Sequence, residues 1–348
     1  TSKISWSSSL IPNVERAKKA LFEPHNVYEI SYRPFNKQFL YYGDKLIHRR
    51  GQFEEIILNS INSANNSIIC ISSTNKGLGL LITSNIADIH FNGDTQCFPL
   101  YYYEKNTLTQ TGMFNEDNKN DYIRRDAISD FILERAKKIY RLTTPPKGTP
   151  PKEGNLTKED IFYYVYGFLH SKEYRTTFAN DLKKMLPRLP LLEDVKDFWA
   201  FSQAGRQLAE LHLNYETVAP FAGVTVTGDK FPSDGGVSEG RGGFYTVEKM
   251  RFPKKDQKDT IIYNSKITVS NIPAQAYEYV VNGKSAIEWI IERYQFTTHK
   301  ESGITNNPND WVSETGNPRY ILDLLLSVIN ISVQTVDIVN ALPKVQFK

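Results

Sequence analysis

Four prolines fall between Thr143 and Asn155, in the run TTPPKGTPPKEGN, and no regular element can cross that stretch. Each proline fixes φ and removes a backbone donor, so neither a helix interior nor a central strand tolerates them at this density. The run predicts an extended connector over residues 143–155. The main boundary of the chain is expected there.

Ahead of the connector, residues 27–42 alternate and are rich in Tyr, Phe, Val and Ile, while Ile68–Ser72 and Leu80–Ser84 are short apolar runs bounded by Asn and Gly. These patterns predict strands. Phe53–Ile61 reads as a short helix, and the apolar spacing from Ile128 predicts a helix ending near Leu142. Beyond the connector, Thr157 and Asp160 have the form of a capping box and predict a helix over 158–170. Ser171 reads as a fresh cap for a second helix that stops before Pro187, and Ser202–Asn214 reads as a third.

From Val224 to Ser270 the pattern turns to strands: FYTVEKMRF, TIIYN and KITVS, separated by a Gly-rich loop (228–243) and a charged loop (253–259). This predicts a β-ribbon. Ser285 and Glu288 form another capping box for a helix to Tyr294. Asn317 and Pro318 open a last helix carrying Ile321, Leu324, Leu325, Val328, Val336 and Val339. The expectation is an α+β fold: a β-rich N-terminal part over residues 1–142, then a helical part over 156–348 with an inserted β-ribbon at 224–270.

The 348 residues, 40% hydrophobic, can supply a well-buried core. A formal charge of +3, from 42 basic against 39 acidic residues, permits a basic face without demanding one. No run approaches the uninterrupted apolar length that a membrane helix requires, and TSKISWSSSL lacks the blocks of a signal peptide, so a cytoplasmic protein is expected. Cys70 and Cys97 sit in apolar strand-like text and read as two buried thiols, with a disulfide as the alternative. A first residue of Thr rather than Met fits a segment of a longer polypeptide.

Motifs of several chemistries are missing. There is no Asn-Pro-Pro-Tyr tetrapeptide of an adenine methyltransferase and no Gly-rich loop ending in Lys-Ser/Thr; Gly77–Leu81 is too short and wrongly flanked. The six histidines never pair at a spacing that puts two ligands on one helix face, so neither a metal nor a cofactor is expected. Asp88, His90 and Asp94 are the most suggestive acid-base group and carry the rival reading of a metal-dependent hydrolase or nuclease. The plainer reading is that they end a strand and cap a turn. Glu193, Asp194 and Asp197 read as the solvated charge of a loop between helices.

Binding features are better represented. Lys37, Arg49 and Arg50 flank Tyr41 and Tyr42; Lys76 lies in the loop between two strands. Lys249, Arg251, Lys254, Lys255 and Lys258 cluster on the ribbon, with Arg241 in the Gly-rich loop. Cations at phosphate spacing give affinity for a duplex, and the planar fork of Arg bonds guanine at two points. The alternative is that the lysines keep an edge ribbon from pairing with a neighbour. The aromatic run IFYYVYGFL suits base stacking in principle, but its helical spacing puts Phe162, Val165, Tyr166 and Leu169 on one core-facing stripe. In the following helical run, Ala204, Leu208 and Leu211 are expected inward and Arg206 outward.

Several stretches carry a resemblance: YRPFNKQFLYY (Tyr32–Tyr42), ADIHFNGDTQCFPLYYY (Ala87–Tyr103), Asp160–Leu191, DFWAFSQAGRQLAELHLNY (Asp197–Tyr215) and Ile272–Gln295. Together, in this order, they resemble the C-terminal target recognition region of type ISP restriction-modification enzymes. Such enzymes join nuclease, ATP-driven translocase, adenine methyltransferase and recognition modules in one polypeptide. The resemblance implies a catalytically silent domain that recognises double-stranded DNA for an upstream methyltransferase, with no membrane partner. S-adenosylmethionine, ATP and Mg2+ would then belong to the parent polypeptide and not to this part. Tyr32 to Phe35 match the family's YRPF motif, Asp160 to Arg175 its helix pair, and Asn282 to Ser285 a turn before a helix. These positions are expected to be mainly scaffold, with readout in less typical loops. Lys172 departs from the family, where proline is frequent. A docking scaffold that contacts only protein is the third reading.

Overall fold

The computed structural model describes residues 8, 10–16, 19, 21–43, 46–47, 66–106, 122–141, 155–229, 243–301 and 303–347. The expected helix at Phe53–Ile61 and the connector at 143–155, apart from Asn155, lie outside the described residues, as do Arg49, Arg50 and Arg241.

A short helix α1 (Ile11–Glu15) precedes the hairpin of β1 (Val27–Arg33) and β2 (Asn36–Tyr41). Pro34 and Phe35 make the turn, and Phe35 takes a positive φ of 56° that places its ring in the core, 3% exposed. A buried aromatic in this conformation is uncommon, and the Tyr294 hydroxyl, donating to the Phe35 carbonyl at 3.2 Å, helps hold it there. Arg33 of the same YRPF motif lies over the Tyr32 ring at 3.9 Å and pairs with Asp88 at 2.6 Å. These contacts tie the motif into the fold.

β3 (Ile68–Thr74) is the central strand of a second sheet, flanked antiparallel by β4 (Gly77–Thr83) and, after the short β5 (Ile86–Ala87), by β6 (Gln96–Pro99). Successive side chains point to opposite faces, and both faces are covered, which explains the continuous apolar text. Ile68, Cys70 and Leu81 enter one core cluster, while Ile69, Ile71, Leu80 and Ile82 enter the other. β7 (Tyr101–Lys105) and β8 (Tyr122–Asp126) form a hairpin leading into α2 (Asp130–Ile139), the helix expected before the connector.

After the connector, Thr157 and Asp160 make the expected capping box at the start of α3 (Lys158–Phe168). Ser171 caps α4 (Lys172–Thr177), which is much shorter than the helix expected to reach Pro187; turns replace it from Phe178. α5 (Val195–Leu213) begins seven residues before the expected Ser202. The acidic group expected to be a solvated loop supplies its N-cap, the Asp194 carboxylate accepting from the Lys196 amide at 2.8 Å. Leu208 and Ala204 are buried as expected, but Leu211 is half-buried and Arg206 pairs with Glu159 and Asp160.

The ribbon is only partly a sheet. β9 (Thr225–Thr227), β10 (Ile261–Ile262) and β11 (Thr268–Ser270) pair in the order β10-β11-β9. FYTVEKMRF is not a strand: it meets β10 only through Arg251 and Ile262. Its Phe244, Tyr245, Val247 and Met250 are instead sunk in the core, which breaks the alternation a paired strand needs. The hairpin of β12 (Val280–Val281) and β13 (Lys284–Ser285) turns at Asn282 and Gly283, both at positive φ as a two-residue hairpin requires. It leads into α6 (Ala286–Arg293) through the Ser285–Glu288 capping box. A second short hairpin, β14 (Thr297–Thr298) with β15 (Thr305–Asn306), precedes α7 (Trp311–Thr315) and α8 (Tyr320–Asn340).

α8 starts two residues after Pro318; the Asn317 side chain accepts from the Arg319 amide at 2.9 Å. By length and mean hydropathy α8 would suffice to cross a membrane, although Asp323, Asn330 and Asp337 interrupt its apolar run. It is the axial core helix here, with Leu322, Leu325, Val328, Ile329 and Ile331 fully buried. Each such side chain contributes roughly 1.5–3 kcal/mol by leaving water. Both core clusters draw on residues from either side of the connector.

Candidate functional site

The segment from Phe244 to Arg251 is pinned by backbone hydrogen bonds from Phe244 to Glu248 and again at Arg251. Asn264 donates to the carbonyls of Phe244 and Thr246 at 3.0 and 3.1 Å, and the Tyr263 hydroxyl donates to that of Tyr245 at 2.9 Å. Asn309 clamps Val247 from both sides, accepting from its amide at 2.8 Å and donating to its carbonyl at 2.9 Å. The Phe296 amide donates to the Glu248 carbonyl at 2.7 Å, and Arg251 exchanges two backbone bonds with Ile262. Beneath it, Arg319 binds Asp229 and Asp323, and the Tyr245 hydroxyl donates to Asp229 at 2.6 Å.

This rigid segment presents Lys249 and Arg251 outward, and the following loop presents Lys254 and Lys255. All four are exposed and make no ion pair among the described residues. Lys258 differs: it pairs with Glu288 at 2.9 Å and lies over Tyr277 at 5.4 Å. Partial burial works against the Glu288 charge, but Lys258 and the Ser285 hydroxyl and amide outweigh it and hold the carboxyl below its usual range. Lys258 therefore fastens the loop, leaving the other four cations uncompensated.

The remaining sequence candidates lie on other elements. Lys37 is held between Glu216 at 2.6 Å and Glu29 at 3.0 Å. Burial opposes its charge, yet the two carboxylates raise its pKa above the ordinary value. Its ammonium is thus already satisfied. Lys76 is exposed on the β3–β4 turn with its stem packed over Gly283, while the Thr74 hydroxyl donates to Asn282 at 2.9 Å.

Two further cations stand out only in the fold. Lys183 and Lys184, both exposed, come to the tip of β3 because the Ser73 hydroxyl donates to the Met185 carbonyl at 3.2 Å. In sequence their run reads as one amphipathic helix, and lysines on the outer face of such a helix carry no signal.

Asp88 is occupied by Arg33 and accepts from the His90 amide at 2.8 Å, so it ends a strand and caps a turn. His90 and Asp94 approach at 3.4 Å on the open surface. Among the described residues no group of three or more His, Cys, Asp or Glu side chains stands together as a metal site would require. Cys70 and Cys97 face each other across β3 and β6 as free thiols, with their sulfurs 3.9 Å apart. Phe162, Tyr166 and Leu169 are buried and Val165 half-buried, so the aromatic run is core.

An α+β frame thus carries, on one backbone-braced edge, cations that are exposed and make no ion pair among the described residues. The chain belongs to the Type ISP C-terminal specificity domain family, whose model matches residues 1–324. Among solved structures it is similar to the ATP-dependent Type ISP restriction-modification enzyme LlaBIII bound to DNA, at TM-score 0.79 and 35% identity over 99% of this chain. A nuclease-deletion mutant of the Type ISP enzyme LlaGI, in complex with a DNA substrate mimic, matches at TM-score 0.74 and 36% identity over 99%. The DrdV–DNA complex matches at TM-score 0.77 and 25% identity, again over 99%. The chain spans 20%, 23% and 31% of those three chains, respectively. A comparison with curated proteins finds no match.

Proposed function

We propose that this domain recognises a specific sequence in double-stranded DNA on behalf of a longer Type ISP polypeptide, and that the upstream modules methylate adenine and translocate and cleave DNA. The observation that carries this reading is the pinned segment 244–251 with its continuation, which offers Lys249, Arg251, Lys254 and Lys255 without carboxylate partners among the described residues. Similar structures solved with DNA support it. Phosphate contacts from such cations supply affinity and orientation, and side chains that reach base edges supply the choice of sequence. Lys76, Lys183 and Lys184 offer a second cationic edge; Arg49, Arg50 and Arg241 remain candidates by sequence.

S-adenosylmethionine, ATP and Mg2+ would be held by the other modules, in the cytoplasm where the DNA is. A domain exchange tests the reading. Replacing this domain in its parent by that of a relative, then mapping methylated adenines in host DNA, should move methylation to the relative's sequence. An unaltered methylated sequence would overturn it.

A further inference from the structure

The β14–β15 hairpin stands away from the body: every described residue from Phe296 to Asn306 is exposed. Among the described residues its strands pair only with each other, and two hydroxyls meet across the pair, Thr298 to Thr305 at 3.0 Å. Two paired strands without a covered face are marginal in water, so the hairpin depends on how firmly its base is held. That base is the Phe296 amide on the Glu248 carbonyl at 2.7 Å, with Asn309 gripping Val247 on the far side. The hairpin therefore rises from the same backbone that presents Lys249 and Arg251.

We propose that this hairpin is a reading element that enters the major groove of a DNA duplex while the cations at 249–255 hold the flanking phosphates. The proposal rests on the function proposed above. A major groove about 12 Å wide admits a two-stranded ribbon. The side chains suit its edges: Asn306 for adenine, Lys300 for guanine, the threonine hydroxyls for either, and the exposed Ile304 for a thymine methyl group. A purely structural hairpin would be expected to bury Phe296 and Ile304, which are 51% and 53% exposed. The neighbouring unpaired cations favour a polyanion over a protein as the occupant.

The test is selection of bound duplexes from a randomised pool. It uses the unsubstituted chain, a Thr298→Ala/Asn306→Ala variant and a Lys300→Ala variant, each first shown to melt at the unsubstituted temperature. The unsubstituted chain should enrich one motif. Each variant should lose preference at one or two positions, with roughly ten-fold or greater loss of affinity for the original motif and little change for unrelated duplexes. Motif and affinity retained in both variants would overturn the hairpin's role, as would variants that lose only their association with the methyltransferase. Failure of the unsubstituted chain to enrich any motif would overturn this inference together with the reading beneath it.

Discussion

Gly167 of α3 and Gly205 of α5 face each other at the point where the two helices cross. A Cβ on Gly167 would run into the Phe201 carbonyl and lie 3.0 Å from the Gly205 nitrogen. One on Gly205 would meet the Tyr163 carbonyl and lie 2.9 Å from the Gly167 nitrogen. Backbone, not a flexible side chain, fills the space. Gly205→Ala must therefore push the helices apart and should destabilise the fold by about 1–3 kcal/mol or more, despite the better helix propensity of alanine. Denaturant unfolding measures it, and a stability equal to the unsubstituted protein would mean the helices cross less closely.

His212 sits at the junction of three helices. Its Nδ1 meets the Tyr166 hydroxyl at 2.6 Å, its Nε2 meets Thr335 at 2.9 Å, and its ring stacks on Tyr279 at 5.1 Å. Burial pushes its pKa down to about 3, and burial together with the Arg175 charge lowers that of His170 well below 6.5. Both imidazoles take up a proton less readily folded than unfolded, so their contribution is intact above about pH 6.5 and is lost as pH falls below it, down to about 3 for His212. Stability should fall by up to about 1.4 kcal/mol per pH unit for each histidine as pH drops below about 6.5. His212→Gln should make the slope between about pH 4.5 and 6.5 shallower, measured by unfolding at a series of pH values.

The two thiols should differ in reactivity. Burial, with Cys97 alongside, pushes Cys70 well up, whereas the hydrogen bond from Cys70 lowers Cys97. Iodoacetamide applied to the native protein should label Cys97 first and reach Cys70 only on unfolding. Mass spectrometry of the peptides would reveal the reverse order if the sheet were differently registered.

Duplex binding should be steeply salt-dependent. Every phosphate that a variant no longer neutralises makes the slope of log affinity against log salt shallower by about 0.9. Lys254→Ala with Lys255→Ala should reduce it by up to about 1.8 if both reach phosphate. An unchanged slope, measured by anisotropy titration, would remove that loop from the binding surface. Arg251→Ala should weaken binding or relax sequence choice, and neither change would count against the 244–251 edge.

The legible parts of the sequence are those governed by local chemistry. Thr157–Asp160 and Ser285–Glu288 announce their helices because a capping box satisfies backbone amides within four residues. The strands 27–33, 68–74 and 77–83 are visible as alternating or continuous apolar runs. FYTVEKMRF misleads because its aromatic and β-branched residues answer to burial, and its backbone bonds go to the distant side chains of Tyr263, Asn264 and Asn309. The N-cap role of Asp194 is hidden among neighbouring acids. Likewise, Lys37 looks free because Glu216 is 179 residues away in sequence. The β14–β15 hairpin leaves only paired threonines around Gly303, too short a pattern to register.

β3 has consequences for anyone who would recombine these domains. Since alternate residues of one strand line separate interiors, a slip of a single position would exchange the contents of both at once. Crossovers placed at the proline-rich junction would leave each interior with mismatched walls. On the reading proposed above, retargeting would be attempted by trading the protruding hairpin and the lysine-bearing loop, which can change while that shared partition stays intact.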